Sequence, residues 1–446
     1  MTADFLPATD QEPESTQVLL RADSGSLVQR TVLGNGLRIL TEEMPGSRSA
    51  VFGVWVGAGS RDEAADQHGA AHYLEHLLFK ATARRTAFEV NAAIDAVGGE
   101  MNAFTSRENT CFYAHVRDAD LPIAVDVVLD VVTAALLRDG DVESERQVVL
   151  EEIAMHEDDP ADVAMEQFHG QVLADAALAR SVLGTPQSIA ALPADSIRRF
   201  YADHYVPGSM VIAATGSVVH EDVVRLVRTA LTDGRWGLGA GRPRPMRAAG
   251  ETPGKPGAPV VVRRPAEQAH IIIGGPSVSR NDPDKYALAV FNTVLGGGMS
   301  SRLFSKVREE RGLAYAVYSF ASPFADAGVF GVYAGTRPSN ADEAIAVIGE
   351  ELRAIAASGL SASEVQRGKG SVRGARILAL EDPFARMNRL GHAELGVGEL
   401  PTIADIEHRI EAVSMDDIAR VARRLLDRDP TVTVVGPMPR RWIPHM

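Results

Sequence analysis

The chain has little cysteine and a shortage of positive charge. Cys111 is the single cysteine among 446 residues, so no intrachain disulfide can form, and a cytoplasmic setting is favoured. Lys and Arg together number 45 against 59 Asp and Glu, which gives a formal net charge of −14. Because nucleic-acid binding needs a basic face, this balance argues against a nucleic-acid partner. It is compatible with basic peptide substrates.

Long apolar runs and a basic leader are also missing. No stretch is apolar enough to predict a membrane span, and no membrane partner is expected. Residues 1–28 mix Asp, Glu, Thr, Ser and Pro, and predict a flexible N-terminal arm rather than a targeting peptide. The stretch 234–257 is rich in Gly, Pro and Arg and predicts a linker. We therefore predict two αβ domains, at residues 29–233 and 258–446.

The two predicted domains repeat the same order of elements. Each contains an apolar strand, at 50–57 and at 270–275, followed by a helix with apolar periodicity, at 69–80 and at 284–295. A second helix, a glycine and a long strand then follow in both halves. This order predicts an internal duplication.

Two histidines one helical turn apart, with a carboxylate between them, are the strongest chemical signal in the chain. They lie in His72-Tyr73-Leu74-Glu75-His76, where helical spacing places His72, Glu75 and His76 close to one face. The order His-x-x-Glu-His is the inverzincin motif and predicts half of a zinc site. The equivalent helix of the second half, around 285–292, has no histidine, so we expect that half to carry no metal.

A third ligand is expected from a distant helix. Residues 141–153 predict a helix capped by Asp141, and Glu145 and Glu152 are seven residues apart in it. Seven residues are two turns, so both carboxylates lie on one face, whereas Glu151 is rotated by about 100° from Glu152. We predict that Glu152 binds the metal and that Glu145 lies behind it, accepting a hydrogen bond from a histidine ring or neutralising the site.

These residues together resemble the pitrilysin (M16) family of zinc peptidases. The segment 98–110 resembles the strand that follows the zinc helix in that family, and Arg308 with Tyr315 resembles its C-terminal arginine and tyrosine pair. The run 296–304, Gly-Gly-Gly-Met-Ser-Ser-Arg-Leu-Phe, is similar to short bacterial members related to the mitochondrial processing peptidase. The resemblance covers nearly the whole chain.

The resemblance implies an α+β fold and a dimer. Each chain is expected to have two homologous αβ domains, each a mainly antiparallel sheet with helices packed on one face. Two chains are expected to close like a clamshell, as a homodimer or as a heterodimer with a non-catalytic homologue. One Zn²⁺ is expected per chain, although Mn²⁺ or Co²⁺ fits the same ligands.

For the chemistry, Glu75 is predicted to be the general base, which takes a proton from the zinc-bound water and passes it to the leaving amine. Tyr315 is the candidate donor to the oxyanion, and Arg308 is expected to orient the substrate backbone. The resemblance implies that this pair reaches the zinc domain from the partner chain. An extended substrate is expected to add as a strand to an edge formed by three residues: Asn102, Ala103 and Phe104.

The predicted function is a zinc endopeptidase or oligopeptidase that hydrolyses extended, unfolded peptides in a closed dimeric chamber. The alternative is a non-catalytic structural or substrate-recognition subunit of a processing-peptidase-like assembly. A third reading, zinc-dependent hydrolysis of a small molecule, needs a tight pocket rather than a strand edge. Outside the resemblance, the two histidines are also compatible with a structural role, and Arg308–Arg311 with a solvated charged face.

Overall fold

The chain forms two compact units. The structure is a computed structural model and describes residues 10–22, 25–173, 176–232, 236, 240–248 and 258–444. The first unit comprises Met1–Ile153, Arg180–Arg247 and Leu378–Thr402, and the second comprises Ala154–Ala179, Ala248–Ile377 and Ile403–Met446.

The described strands and helices follow one another in runs along the chain. The strands are β1 (Thr16–Arg21), β2 (Leu27–Val32), β3 (Arg38–Glu43), β4 (Ser49–Val56), β5 (Glu100–Thr105), β6 (Thr110–Arg117), β7 (Met210–Gly216), β8 (Val260–Arg263), β9 (Ala269–Pro276), β10 (Ala314–Pro323), β11 (Gly328–Thr336) and β12 (Thr431–Gly436). The helices are α1 (Ala70–Leu78), α2 (Ala87–Asp95), α3 (Leu121–Ala134), α4 (Asp139–Asp158), α5 (Pro160–Val172), α6 (Ala176–Ala179), α7 (Pro186–Ala191), α8 (Ala194–His204), α9 (His220–Thr232), α10 (Lys285–Gly296), α11 (Ala341–Ser358), α12 (Ala362–Ala379), α13 (Pro383–His392), α14 (Ile403–Glu411) and α15 (Met415–Leu426).

The sheet of the first unit has the strand order β1-β2-β3-β7-β4-β6-β5. All neighbours are antiparallel except β3 and β7, and β5 lies at the edge. Successive residues of a strand point to opposite faces. In β4, Phe52 and Val54 accordingly pack in the core with α1, α3 and α9, whereas Val51 and Trp55 pack on the other face with Met387 of α13.

The sheet of the second unit repeats this plan with the order β10-β11-β9-β12-β8. Its strands are antiparallel except for the pair of β12 and β8. In β9, Ile271 and Ile273 pack with α10, α11 and α15, whereas Ile272 on the other face packs with Phe168 of α5. The predicted α+β fold with two homologous, mainly antiparallel sheets is therefore confirmed.

The two halves exchange a helix, which the sequence analysis did not predict. Helix α5 lies in the first half of the chain but packs on the second sheet, and α13 lies at the corresponding place in the second half but packs on the first sheet. The predicted consecutive domains 29–233 and 258–446 are therefore wrong for residues 154–179 and 378–402. Helices also lie on both faces of each sheet, not on one.

The N-terminal arm and the linker predicted on either side of the first domain also need correction. The arm predicted at 1–28 is wrong for residues 16–21 and 27–28, because β1 pairs with β2 and buries Leu19 and Leu20. Residues 1–9 and 23–24 lie outside the described residues.

The linker predicted at 234–257 is described only in part. Trp236 is buried in the core of the first unit, and the Arg247 side chain pairs with Asp62 of the same unit. The boundary between Arg247 and Ala248 falls within the predicted stretch. Residues 234–235, 237–239 and 249–257 lie outside the described residues.

The length and composition of the helices also bear on membrane insertion. None of the helices in the described part of the chain combines the length and the apolar character that crossing a bilayer requires.

Candidate metal centre

Helix α1 carries the two histidines of the motif, and a buried carboxylate fixes its start. Gly69 has a left-handed conformation, with φ 93°, directly before the helix. The Glu63 carboxylate accepts the backbone N–H groups of Gly69 and Ala71, at 3.0 and 2.9 Å. Burial raises the pKa of Glu63 to about 8, although these two hydrogen bonds oppose the rise. They satisfy N–H groups that the first turn of a helix leaves without partners.

Helix α4 brings the third ligand. The helix begins at Asp139, so the predicted cap at Asp141 is wrong. Contacts from both sides fix it within the first unit: the Tyr73 hydroxyl donates to the Val142 carbonyl, and the Arg146 guanidinium donates to the Leu192 carbonyl at 3.1 Å.

The three predicted ligands converge. The Nε2 atoms of His72 and His76 lie 3.5 and 3.3 Å from Oε2 of Glu152, and the two imidazole rings have centroids 4.8 Å apart. One ligand atom from each residue lies within 4.8 Å of the others. Across the described ranges, this is the only cluster of three or more His, Cys, Asp or Glu side chains with that geometry.

The donor set fits a zinc ion. Tetrahedral ligands at about 2.0–2.1 Å from zinc lie about 3.3 Å from one another, which is close to the histidine-to-glutamate distances here. Oε2 of Glu152 is buried and has no hydrogen-bond partner of good geometry, although both imidazoles face it. These imidazoles hold the pKa of Glu152 well below its usual range, and Glu152 raises the pKa of His76. Two imidazoles and a carboxylate with room for a fourth ligand are typical of catalytic zinc sites.

Glu75 lies beside this cluster and is held by a residue that the sequence analysis missed. The Thr105 hydroxyl donates to Oε2 of Glu75 at 2.5 Å. Burial raises the pKa of Glu75, and the hydrogen bond from Thr105 opposes this shift. Thr105 is the last residue of β5, so the candidate base is tied to the edge strand of the sheet.

Glu145 contacts His76, as predicted, and has a second partner that was not predicted. Its Oε2 lies 3.3 Å from Nδ1 of His76, and its other oxygen pairs with the Lys80 ammonium group. Glu145 is only 4% exposed. Lys80 is four residues after His76, and that spacing is the signal that identifies it in the sequence.

The remaining predicted residues lie in two places. Strand β5 contains Asn102, Ala103 and Phe104 and is an edge strand next to α1, so its position agrees with the prediction of an accessible edge. Their contact with substrate stays a prediction.

Arg308 and Tyr315 lie together in the second unit. Arg308 belongs to the π-helical segment Phe304–Glu309, donates to the Tyr315 carbonyl at 2.8 Å and lies 4.8 Å from the centroid of the Tyr315 ring. The Tyr315 side chain is 77% exposed. Both residues line a cavity of about 580 Å³ together with Gln268, Arg337 and Asn340. The proposed catalytic roles of the pair stay predictions.

A cluster of two histidines and one glutamate, with a further carboxylate beside it, defines a candidate catalytic metal centre on a duplicated αβ fold. The profile described as insulinase, peptidase family M16, matches residues 38–186, and the peptidase M16 inactive domain matches residues 191–372. The chain therefore belongs to peptidase family M16.

Known proteins support this assignment over nearly the whole chain. A protein of Streptomyces coelicolor named an uncharacterized zinc protease is 50% identical, over 95% of this chain and 93% of that protein. The mitochondrial-processing peptidase subunit beta of Lentinula edodes is 30% identical, over 92% and 90%. The fold is similar to that of a solved protease from Helicobacter pylori, with a TM-score of 0.85 at 23% identity, covering 92% of this chain and 99% of that one. The predicted resemblance to M16 and to the processing peptidase is confirmed.

Proposed function

We propose that this protein is a zinc-dependent endopeptidase or oligopeptidase that hydrolyses extended, unfolded peptides. The observation that carries the proposal is the convergence of His72, His76 and Glu152, with the Glu75 carboxylate beside them. The names of relatives as zinc proteases support it.

His72, His76 and Glu152 would hold one zinc ion per chain. When bound, the zinc supplies a Lewis acid for the scissile carbonyl and makes a water molecule more acidic. Glu145 accepts from Nδ1 of His76, which leaves Nε2 of that ring for the metal.

Glu75 is the proposed general base. Thr105 engages Oε2 of Glu75, so Oε1 is the oxygen that would take a proton from the attacking water and deliver it to the leaving amine. Because burial raises the pKa of Glu75, its carboxylate is a better proton acceptor than an exposed glutamate.

Substrate binding is proposed along β5. An edge strand has backbone N–H and C=O groups that no neighbouring strand pairs, and an extended peptide can pair with them whatever its side chains. Asn102, Ala103 and Phe104 would supply this edge, and Thr105 follows them directly. The proposed substrate is therefore held next to the base.

The proposed assembly is a homodimer that closes as a clamshell, with a heterodimer containing a non-catalytic homologue as the other arrangement. Arg308 and Tyr315 are proposed to complete the site in such an assembly, with Tyr315 as donor to the oxyanion. The cytoplasmic setting predicted from the single cysteine stays a prediction.

The function is tested by measuring zinc content together with cleavage of a library of unstructured peptides. We expect the native chain to bind about one zinc and cleave peptides, and Glu75→Gln to retain zinc while losing cleavage by at least about a hundredfold. Glu152→Gln should lower both, whereas Glu151→Gln, which changes an exposed neighbour on the same helix, should lower neither.

The outcomes separate the candidate functions. A native chain that binds zinc and cleaves no peptide favours the non-catalytic subunit. A native chain that binds no metal under replete conditions contradicts the site itself. Equal cleavage by the native chain and a zinc-loaded Glu75→Gln variant contradicts the proposed base.

A further inference from the structure

A line of contacts leads from the candidate metal centre to a lysine outside it. Nε2 of His76 faces Glu152, and Nδ1 of the same ring faces Oε2 of Glu145 at 3.3 Å. The second oxygen of Glu145, Oε1, pairs with the Lys80 ammonium group. Among the contacts of the described residues, Lys80 pairs with Glu145 and with none of the three candidate ligands.

The local structure explains why this line forms. His72, His76 and Lys80 are spaced by four residues, so they lie along one side of α1 and the turn that follows it. Glu152 and Glu145 are spaced by two turns on α4. Because the two segments run in opposite directions, the first histidine meets Glu152, the second meets both glutamates, and the lysine meets Glu145.

We propose that Lys80 is a positioning residue for the metal centre: it holds the Glu145 carboxylate against His76, so that the ring of His76 presents Nε2 to the metal. The proposal rests on the metal site of the proposed function.

Burial makes this ion pair different from an ordinary surface pair. Exposed pairs contribute little because water and salt screen them. Here the Glu145 side chain is 5% exposed and that of Lys80 is 33% exposed, so the carboxylate is shielded while the lysine covers it from the solvent side. Removing one partner of a buried pair leaves the other charge without compensation. Without Lys80, we expect the carboxylate to turn toward solvent and release its hold on His76.

A positioning role makes the effect of Lys80 depend on Glu145. Replacing a group that orients a ligand typically weakens metal binding by about 10- to 100-fold, and this is the expectation for Glu145→Gln. Lys80→Met acts one contact further away, so we expect a rise of about three- to tenfold in the zinc dissociation constant. In the Glu145→Gln background, Lys80→Met should cause no further change.

The experiment measures the zinc dissociation constant of the full chain by competition with a chelator, for the native protein, each single variant and the double variant. Co²⁺ loading of the same set provides a second readout, because its visible absorption reports ligand geometry. Lys80→Arg keeps the charge and is expected to retain affinity within about twofold. Lys306→Met removes a lysine from an exposed pair with Glu310 in the second unit and should leave both readouts unchanged.

Thermal unfolding of the metal-free chains completes the test. A lower unfolding midpoint for Lys80→Met with an unchanged zinc dissociation constant would show a merely structural ion pair and overturn the proposal. Additive effects of Lys80→Met and Glu145→Gln would also overturn it, because Lys80 would then not act through Glu145. If Lys80→Met does not fold, the same comparison is made with Lys80→Gln.

The result is distinguishable from failure of the proposed function. Weaker zinc binding by Lys80→Met in a chain that cleaves no peptide supports the positioning role and contradicts the peptidase. Peptide cleavage by a native chain whose zinc affinity does not depend on Lys80 supports the peptidase and contradicts the positioning role. A native chain without zinc binding contradicts both.

Discussion

At the scale of single residues, Thr105 connects the candidate general base Glu75 with the edge strand β5, along which a peptide is proposed to bind. Its backbone ends the edge strand β5, and its hydroxyl donates to Oε2 of Glu75. A hydroxyl is both donor and acceptor, and the donor role used here restricts the Glu75 carboxylate to one orientation. A peptide added along β5 would therefore meet a base that is already oriented.

Thr105→Val tests this connection. The substitution keeps the branched shape and removes the donor, so we expect kcat to fall by about tenfold because the base loses its fixed orientation. KM and zinc content should change little, since the backbone of β5 and the three candidate metal ligands are untouched. The measurement is steady-state cleavage of one unstructured peptide together with metal analysis.

Thr105→Ser provides the matched control, because it keeps the hydroxyl and loses only a methyl group. It should retain most of the native kcat. A fall of equal size in both variants would point to packing rather than to the hydrogen bond. A loss of zinc in Thr105→Val would place the residue in metal binding and contradict the assigned role.

Spacing along a helix predicted the residues of the centre that lie on α1 and α4. His72 and His76, and Glu145 and Glu152, were paired by helical periodicity alone, and the structure brings them together. Thr105 was not predicted because it lies on a strand, and no local pattern links a strand end to a helix. Glu63 was missed for a similar reason: its carboxylate binds backbone N–H groups, which are the same in every sequence.

At the scale of elements, α5 and α13 occupy equivalent positions in the duplication and begin in the same way. Each begins at the proline of an Asp-Pro pair, and the aspartate side chain accepts a backbone N–H of the first turn: Asp159 from Ala161 at 2.8 Å, and Asp382 from Phe384 at 3.0 Å. Proline at the first position suits a helix start. The two caps explain why both helices begin at these residues. The packing of each helix decides which sheet it covers.

Helix α13 packs closely on the first sheet at Gly391. A Cβ added at Gly391 would lie 2.3 Å from the ring of Trp55, which is closer than real contacts allow. Trp55 also donates its indole N–H to the Met387 sulfur at 3.0 Å. The absence of a side chain at Gly391 therefore sets how near the helix lies to the strand.

Gly391→Ala is expected to destabilise this contact by about 1–3 kcal/mol, because the helix must move away from a rigid ring. The measurement is amide hydrogen exchange, with faster exchange expected within Pro383–His392. Gly370→Ala is the matched control: Gly370 is also helical, in α12, and nothing lies within 4 Å of its added Cβ. There alanine should stabilise the helix by about 0.5–1 kcal/mol. Unchanged exchange in α13 of Gly391→Ala would contradict the close packing.

The sequence predicted where the helices and strands lie better than it predicted which elements they pack against. The helices expected at 69–80 and 284–295 are observed within two residues, because both have a clear apolar face and nearby glycines. The exchange of α5 and α13 was not predicted. An apolar helix face shows that a helix packs against something, but both sheets offer a similar apolar face, and only the folded chain distinguishes them.

At the scale of the whole molecule, the duplication leaves two similar units with different chemistry. The first unit has the histidine-bearing helix α1 and the edge strand β5, whereas the equivalent helix α10 of the second unit has no histidine. Strand β10 is one of the two edge strands of the second sheet, and it carries the exposed Tyr315 near its start. A duplicated fold can thus carry a candidate metal centre in one copy and present other groups in the second.

This division predicts that two differently inactive chains can complement each other if Tyr315 acts on the metal centre of the partner chain. Glu75→Gln and Tyr315→Phe should each be inactive alone. In a mixed dimer, one site combines an intact Glu75 with an intact Tyr315, so a random equal mixture should recover about a quarter of native activity. The measurement is peptide cleavage after subunit exchange, which is verified with differently tagged chains.

Tyr318→Phe is the matched control, because Tyr318 lies on the same strand and is also exposed. This variant should be active without mixing, since only Tyr315 belongs to the proposed pair. If the chains exchange and recover no activity, action across the dimer is contradicted. A Tyr315 that serves its own chain would leave each site of the mixed dimer with either the Glu75 or the Tyr315 substitution, so both sites would be defective. Recovery would instead give a role to the second unit, whose helix α10 has no histidine: its tyrosine would complete a site that the first unit cannot complete alone.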